Sequence, residues 1–308
     1  MQCSPVRQGL GKSCLTLAEL QTVASLYNKE CQDGKEQRVS GTYKHGLIPL
    51  HAFKSRDTLL SEIQVRFKEK CGLAGHADHC WLEQDVIKSS SELYTALQKN
   101  YKPRKPSSWI KNDREWLNTF DILKVLSQYQ EKHSHFSFLG VFPVDFVVKQ
   151  KEGNSCIVQD MCNFNLASLV DQSKTSFGMI INLDRHDQPG SHWVGLYCCW
   201  DPASPKYGIC YYDSAGEKPP KTVGTFIKTV IAQEKELAPN HKKQFQVKYN
   251  CDRHQFKGTE CGIFSLLFVI LCVEKSKLKF REVRKKIKDL ADRNDNGIHK
   301  FRKVFYRD

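Results

Sequence analysis

The sequence is short of membrane-spanning material. Its longest apolar stretch, Ile263 to Val273, has 11 residues and is interrupted by Ser265, against the about 18 that a spanning helix needs. The opening residues, Met1-Gln2-Cys3-Ser4-Pro5-Val6-Arg7, contain no apolar core of the secretory-signal kind. These absences predict a soluble protein, made in the cytosol, with no membrane insertion. No internal repeat and no long low-complexity tract is present, so the chain does not read as a repeat array. Acidic residues are outnumbered, 34 against 47 Lys and Arg, for a net charge of +13. Aromatic residues are plentiful: 17 Phe, 11 Tyr and 5 Trp in 308 residues supply enough buriable surface to exclude a wholly disordered chain.

Thirteen cysteines are present, an odd number at irregular spacings. A chain of this size can build a core without cross-links, so reduced thiols are expected, one of them chemically special. The positive charge sits at the ends. Residues 1–105 hold 16 Lys and Arg against 11 Asp and Glu, and residues 274–308 hold 13 against 6, while the stretch between is nearly neutral. Basic ends favour contact with polyanions, which makes non-specific DNA a candidate partner. The alternative is a solvated, amphipathic C-terminal helix with Val283, Ile287 and Leu290 packed on the core.

Tyr101-Lys102-Pro103-Arg104-Lys105-Pro106-Ser107-Ser108 breaks the texture, because two prolines among basic and polar residues end any helix. This linker predicts a helical N-terminal domain over 1–105 and a second domain over 106–308. In the first, Leu17, Leu20, Val23, Ala24 and Tyr27 recur at helical spacing behind an N-cap at Thr16, and 57–70 and 90–99 look similar. In the second, 113–130 reads as a helix, followed by strands at 136–148, 177–182, 192–200, 207–212 and 245–249. Helices are expected at 221–236 and from Cys261 to about 275. The fold class is therefore α+β, a sheet flanked by helices.

One cysteine stands where chemistry is easiest. Cys261 follows a Gly258-Thr259-Glu260 loop and opens an apolar helix. Unpaired N–H groups and the positive end of the dipole there favour a thiolate. Gly262 then allows a substrate backbone to come close. A thiolate nucleophile needs a base, an orienting group and an oxyanion donor. His192 opens a strand after the Pro189-Gly190 turn, with the indole of Trp193 beside it. Asp213 ends the next strand, within reach of an imidazole N–H. Gln255 lies six residues before Cys261, so its amide and the Cys261 backbone N–H can stabilise an oxyanion together.

His192-Trp193, Asp213-Ser214 and Gln255 with Cys261-Gly262 resemble the signature of the ubiquitin-like-protein protease clan. That clan includes SUMO-deconjugating proteases, the adenovirus protease and the core-protein proteases of large cytoplasmic DNA viruses. Glu115-Trp116-Leu117-Asn118 is similar to the "WLN" helix that opens their catalytic domains. Phe177-Gly178, Ile181-Asn182, His192-Trp193-Val194 and Thr259-Glu260-Cys261-Gly262 resemble most the polyprotein-processing proteases of African swine fever virus and its relatives. Gly11-Lys12-Ser13-Cys14-Leu15 is similar to their N-terminal arm. The resemblance covers about 107–280 with specific motifs and is thin over 1–105.

It implies an adenain-like, papain-related core, with Cys261 as nucleophile, His192 as general base, Asp213 as its orienting group and Gln255 in the oxyanion hole. It further implies cleavage after glycine at Gly-Gly-X-type sites, threaded through a channel walled by Trp193 and floored by Gly262. Viral polyprotein precursors would be the protein substrates, met in the host cytoplasm at the virus assembly site and in the virion. No cofactor is implied. Cys71, His76, His79 and Cys80 form a soft-ligand cluster, but their spacing matches no standard zinc pattern, so no metal is expected. Two rivals remain: a deconjugase for SUMO-like modifiers, and a nucleic-acid-binding scaffold on a protease fold.

Overall fold

The computed structural model of the chain describes residues 2–36, 46–52, 55–71, 78–150, 155–239 and 242–308. Two compact units emerge. Met1–Lys102, with Arg307, makes one, and Pro103–Tyr306, with Asp308, makes the other.

The first unit is helical: α1 (Leu17–Glu36), α2 (Arg56–Cys71), α3 (Asp78–Leu82), α4 (Asp85–Lys88) and α5 (Ser91–Gln98). Thr16 and Glu19 form a reciprocal cap at the start of α1, each side chain bonding the other's backbone N–H. Leu20, Val23, Ala24 and Tyr27 turn inward onto Leu59, Ile63, Phe67 and Trp81, the core that the helical spacing predicts.

The second unit opens with α6 (Thr119–Lys132), not at residue 113. Asn118 is its N-cap, exchanging hydrogen bonds with Asp121, so the Trp116-Leu117 segment precedes the helix rather than lying in it. A five-stranded sheet follows, β1 (Phe136–Pro143), β2 (Ser176–Asn182), β3 (Trp193–Cys199), β4 (Gly208–Tyr212) and β5 (Gln246–Tyr249), arranged in sequence order. The outer pairs are parallel and the two central pairings antiparallel, so the sheet is mixed. Helices α7 (Gln159–Cys162) and α8 (Leu166–Asp171) lie between β1 and β2, and α9 (Lys221–Leu237) between β4 and β5.

Alternation along the strands sorts two cores. Trp193, Tyr197 and Cys199 of β3 face one helical layer, while Val194, Leu196 and Cys198 join Phe226 and Val230 of α9 on the other. The first layer centres on α10 (Cys261–Glu274), almost every residue of which is buried. A helix apolar all round belongs in a core. It approaches the sheet closely because Gly178 and Gly195 leave room: a Cβ on Gly178 would stand 2.8 Å from Val269. The chain ends in α11 (Phe280–Leu290), α12 (Asn296–His299) and α13 (Phe301–Phe305). No helix among the described residues is long and apolar enough to cross a membrane.

The cysteines depart from the reduced expectation. Cys3–Cys14, Cys71–Cys80 and Cys156–Cys162 are disulfide-bonded, and seven cysteines are free. Each pair is 6 to 11 residues apart, close enough for local folding to bring the sulfurs together. Of the four residues weighed as a metal set, Cys71 and Cys80 are thus paired with each other. His76 and the side chain of His79 lie outside the described residues.

Candidate active site

β3 and β4 run antiparallel with Gly195 opposite Tyr212, so the residue before β3 and the residue after β4 share one end of the sheet. Those residues are His192 and Asp213. Nε2 of His192 lies 2.6 Å from Oδ1 of Asp213. Asp213 is buried, and three further contacts hold it. The Ala215 N–H donates to the same Oδ1 at 2.8 Å, and the Asp213 N–H donates to Asn250 Oδ1 at 2.9 Å. The Asn250 amide donates back to the Asp213 carbonyl.

Cys261 is the first residue of α10 and is fully buried. One turn later, the Ser265 hydroxyl donates to the Trp193 carbonyl at 3.0 Å, pinning the helix start beside the head of β3. Cys261 is thereby brought near enough to the His192 ring to favour its charge. Asp213 occupies Nε2, so Nδ1 is the nitrogen left for the sulfur. Burial works against charge on His192, but the hydrogen bond to Asp213 and the neighbouring Cys261 outweigh it and push its pKa up to about 10. The resting ring is an imidazolium at neutral pH. It can hold a thiolate and later return a proton.

Gln255 is buried and tied to Ser214, the residue after Asp213. The Ser214 hydroxyl donates to its Oε1 at 2.6 Å, and its Nε2 donates to the Lys257 carbonyl. One N–H of the carboxamide remains for an incoming oxygen. Trp193 is also buried, its indole N–H donating to the Leu117 carbonyl at 2.9 Å. It lines an open cleft of about 520 Å³ together with Trp116, Phe142, Arg185 and Pro189. Gly262 also has a close neighbour within the fold. A Cβ there would meet the Leu117 side chain at 3.0 Å, so packing of α10 on the 115–118 segment already accounts for the glycine.

The structure adds residues that the sequence does not flag. Asn250 and Ser214 hold the two arms of the constellation. Glu260, adjacent to the nucleophile position, is completely buried and pairs with Arg302 Nε at 3.0 Å and His299 Nδ1 at 2.9 Å. These partners lie about forty residues downstream, beyond the reach of any local pattern. Among the described residues no cluster of His, Cys, Asp and Glu could hold a metal ion.

The chain is similar in sequence to viral thiol proteases and shares the fold of one of them. Thiol protease R355 of Acanthamoeba polyphaga mimivirus is 28% identical over 276 residues, spanning 87% of this chain and 83% of that protein. A cysteine protease of African swine fever virus (isolate Tick/Malawi/Lil 20-1/1983) is 24% identical over 231 residues, 70% of this chain and 81% of its own. The crystal structure of the African swine fever virus protease shares the fold at a TM-score of 0.59 and 18% identity, over 88% of this chain and 92% of its own. No protein-family model matches the chain.

Proposed function

We propose that the chain is an endopeptidase cleaving after glycine at Gly-Gly-X-type sites of viral structural polyproteins during virion maturation, with Cys261 as its nucleophile. It works in the host cytoplasm, at the site of virus assembly, and in the virion. The observation that carries this reading is Cys261 at the head of α10, against a histidine whose far nitrogen is held by Asp213 at 2.6 Å. The Cys261 thiolate attacks the glycine carbonyl carbon. The tetrahedral oxyanion meets the free Gln255 N–H and the Cys261 backbone N–H. His192 Nδ1 gives its proton to the amine nitrogen as the C–N bond breaks, leaving a thioester. Water adds to that carbonyl while His192 takes its proton; the C–S bond breaks, releasing the acid and restoring the ion pair. Specificity for glycine is supported by access: the sulfur is buried, and the Trp193 indole lies immediately beside His192, which leaves little room for substrate side chains.

The test is incubation with a Gly-Gly-X precursor peptide and, separately, with a SUMO conjugate, reading new N-termini. Cleavage after glycine in the peptide, abolished by Cys261→Ala and by His192→Ala alike, is expected, since the two act in one step. Gln255→Ala should lose about 10²–10³-fold in kcat, the range for one oxyanion donor, and Asp213→Asn less. Release of the modifier without peptide cleavage would make the chain a deconjugase instead. Full activity of His192→Ala would sink the mechanism. We also assign the C-terminal basic stretch a salt-sensitive contact with duplex DNA, which keeps the enzyme among packaged precursors. A filter-binding titration at low salt tests it, and no retention there would leave the charge to solubility.

A further inference from the structure

The Gln255 carboxamide can serve an oxyanion only in one of its two orientations. With Nε2 forward it donates; flipped, it would present a carbonyl oxygen to a negative charge. The orientation is set by what surrounds it. The Lys257 carbonyl can only accept, so it claims the NH₂ end, and the Ser214 hydroxyl then donates to Oε1 at 2.6 Å. Ser214 is completely buried and also receives the backbone N–H groups of His254 and Gln255 on its own carbonyl, at 2.8 and 2.9 Å.

The Lys257 carbonyl is in turn placed by a turn whose N–H groups go elsewhere. Phe256 N–H lies 3.0 and 3.1 Å from the two oxygens of Asp295, and Lys257 N–H lies 2.7 Å from Oδ2. Asp295 is completely buried and one of two non-glycine residues among those described with positive φ, at 57°. A strained backbone at a buried carboxylate points to a role for the carboxylate. The surrounding segment is built to hold it there. Asp292 Oδ1 accepts the N–H groups of Asn294 and Asn296 at 2.9 Å each, and a Cβ on Gly297 would fall 1.9 Å from the Leu290 carbonyl.

We propose that Ser214 and Asp295 are positioning residues for the oxyanion donor, Ser214 holding the carboxamide oxygen and Asp295 holding the turn that receives its nitrogen. The proposal rests on the peptidase reading above and adds to it the C-terminal segment as part of the catalytic apparatus. Neither residue touches substrate. Each acts only through Gln255.

Ser214→Ala and Asp295→Asn test it, the second keeping a residue that tolerates left-handed backbone; either variant alone carries the test. Turnover of a Gly-Gly-X peptide, affinity for a peptide aldehyde, and the iodoacetamide labelling rate of Cys261 are measured. The aldehyde forms a tetrahedral adduct that needs the oxyanion donor; alkylation needs only the thiolate. The expected result is a fall of roughly 10- to 100-fold in kcat, below the cost of deleting an oxyanion donor, with KM and the labelling rate unchanged. Aldehyde affinity should fall in parallel, and adding either change to Gln255→Ala should cost nothing further. Unchanged kcat, losses that add to that of Gln255→Ala, or a labelling rate that falls with kcat would overturn the proposal. Full activity of Gln255→Ala itself would overturn the underlying site reading, and this proposal with it.

Discussion

His192 owes its charge to its neighbours rather than to water. Its pKa stands near 10 in the folded chain against an ordinary 6.5. A histidine raised in this way contributes stability that is fully present below the unfolded value and is lost as pH climbs through the folded one. The melting temperature of the wild type should therefore exceed that of His192→Ala most at pH 6 to 7, with the gap closing toward pH 10. Calorimetry across that range checks it, and a gap independent of pH would mean that the imidazolium pair adds nothing. At this scale the His192–Asp213 contact was legible because His192 stands just before one strand and Asp213 just after the next, at one end of the antiparallel pair, and the setting of Cys261 because it opens an apolar helix. Ser214, Asn250 and Asp295 were not, since the bonds that give them meaning join residues 37 to 41 apart. Gly262 was legible as a glycine where something comes close, and the Leu117 side chain is one group that does.

The element that does most is α10, and its two ends are fixed differently. Its start is held by Ser265 on the Trp193 carbonyl. Beyond its end, the chain turns around one buried side chain. Lys206 Nζ donates to the carbonyls of Lys275, Ser276 and Leu278 at 2.8, 3.0 and 2.8 Å, so all three ammonium hydrogens are used. Burial lowers its pKa, yet a cation near a helix C-terminus also meets the negative end of the dipole. Lys206→Met keeps most of the volume and leaves three inward carbonyls without a donor. We expect a loss of about 3 kcal/mol, the order for charged hydrogen bonds removed from a buried site, measured by urea unfolding, with residual folded protein still labelling at Cys261. A change under about 1 kcal/mol, the net worth of one ordinary hydrogen bond, would show that water replaces the ammonium without cost. Strands β2 to β4 were readable because short, nearly continuous apolar runs, buried on both faces, coincide with flanking turns. The 113–118 stretch was misread as helix since Trp116 and Leu117 fit an apolar stripe, whereas the Asn118–Asp121 exchange starts the helix only after them.

Across the whole molecule, charge and sulfur both depart from a composition-level reading. The basic C-terminal stretch is not simply solvated. Arg302 is buried as the counterion of Glu260, Arg284 donates to the Tyr249 carbonyl, and Lys288 pairs with Asp252. Sulfur pairing could not be read from spacing, because bonding depends on where loops return, not on how many residues they hold. Six of the thirteen cysteines are bonded, two of the three bridges within the N-terminal unit, and Cys261 lies outside all of them. Closing loops this short stabilises by roughly 2–3 kcal/mol each in the chain-entropy account, so the bridges add to cores that already exist. Reductant should then lower thermal stability while leaving Gly-Gly-X peptide turnover unchanged, as Cys261, the proposed nucleophile, belongs to none of the bridges. Alkylation of the protein unfolded without reductant should mark seven cysteines, and all thirteen after reduction. Thirteen marked without reductant would mean that local proximity does not suffice to close the bonds. Loss of turnover in reductant would mean that a bridge in the catalytic unit, Cys156–Cys162, supports the site from the far side of the sheet.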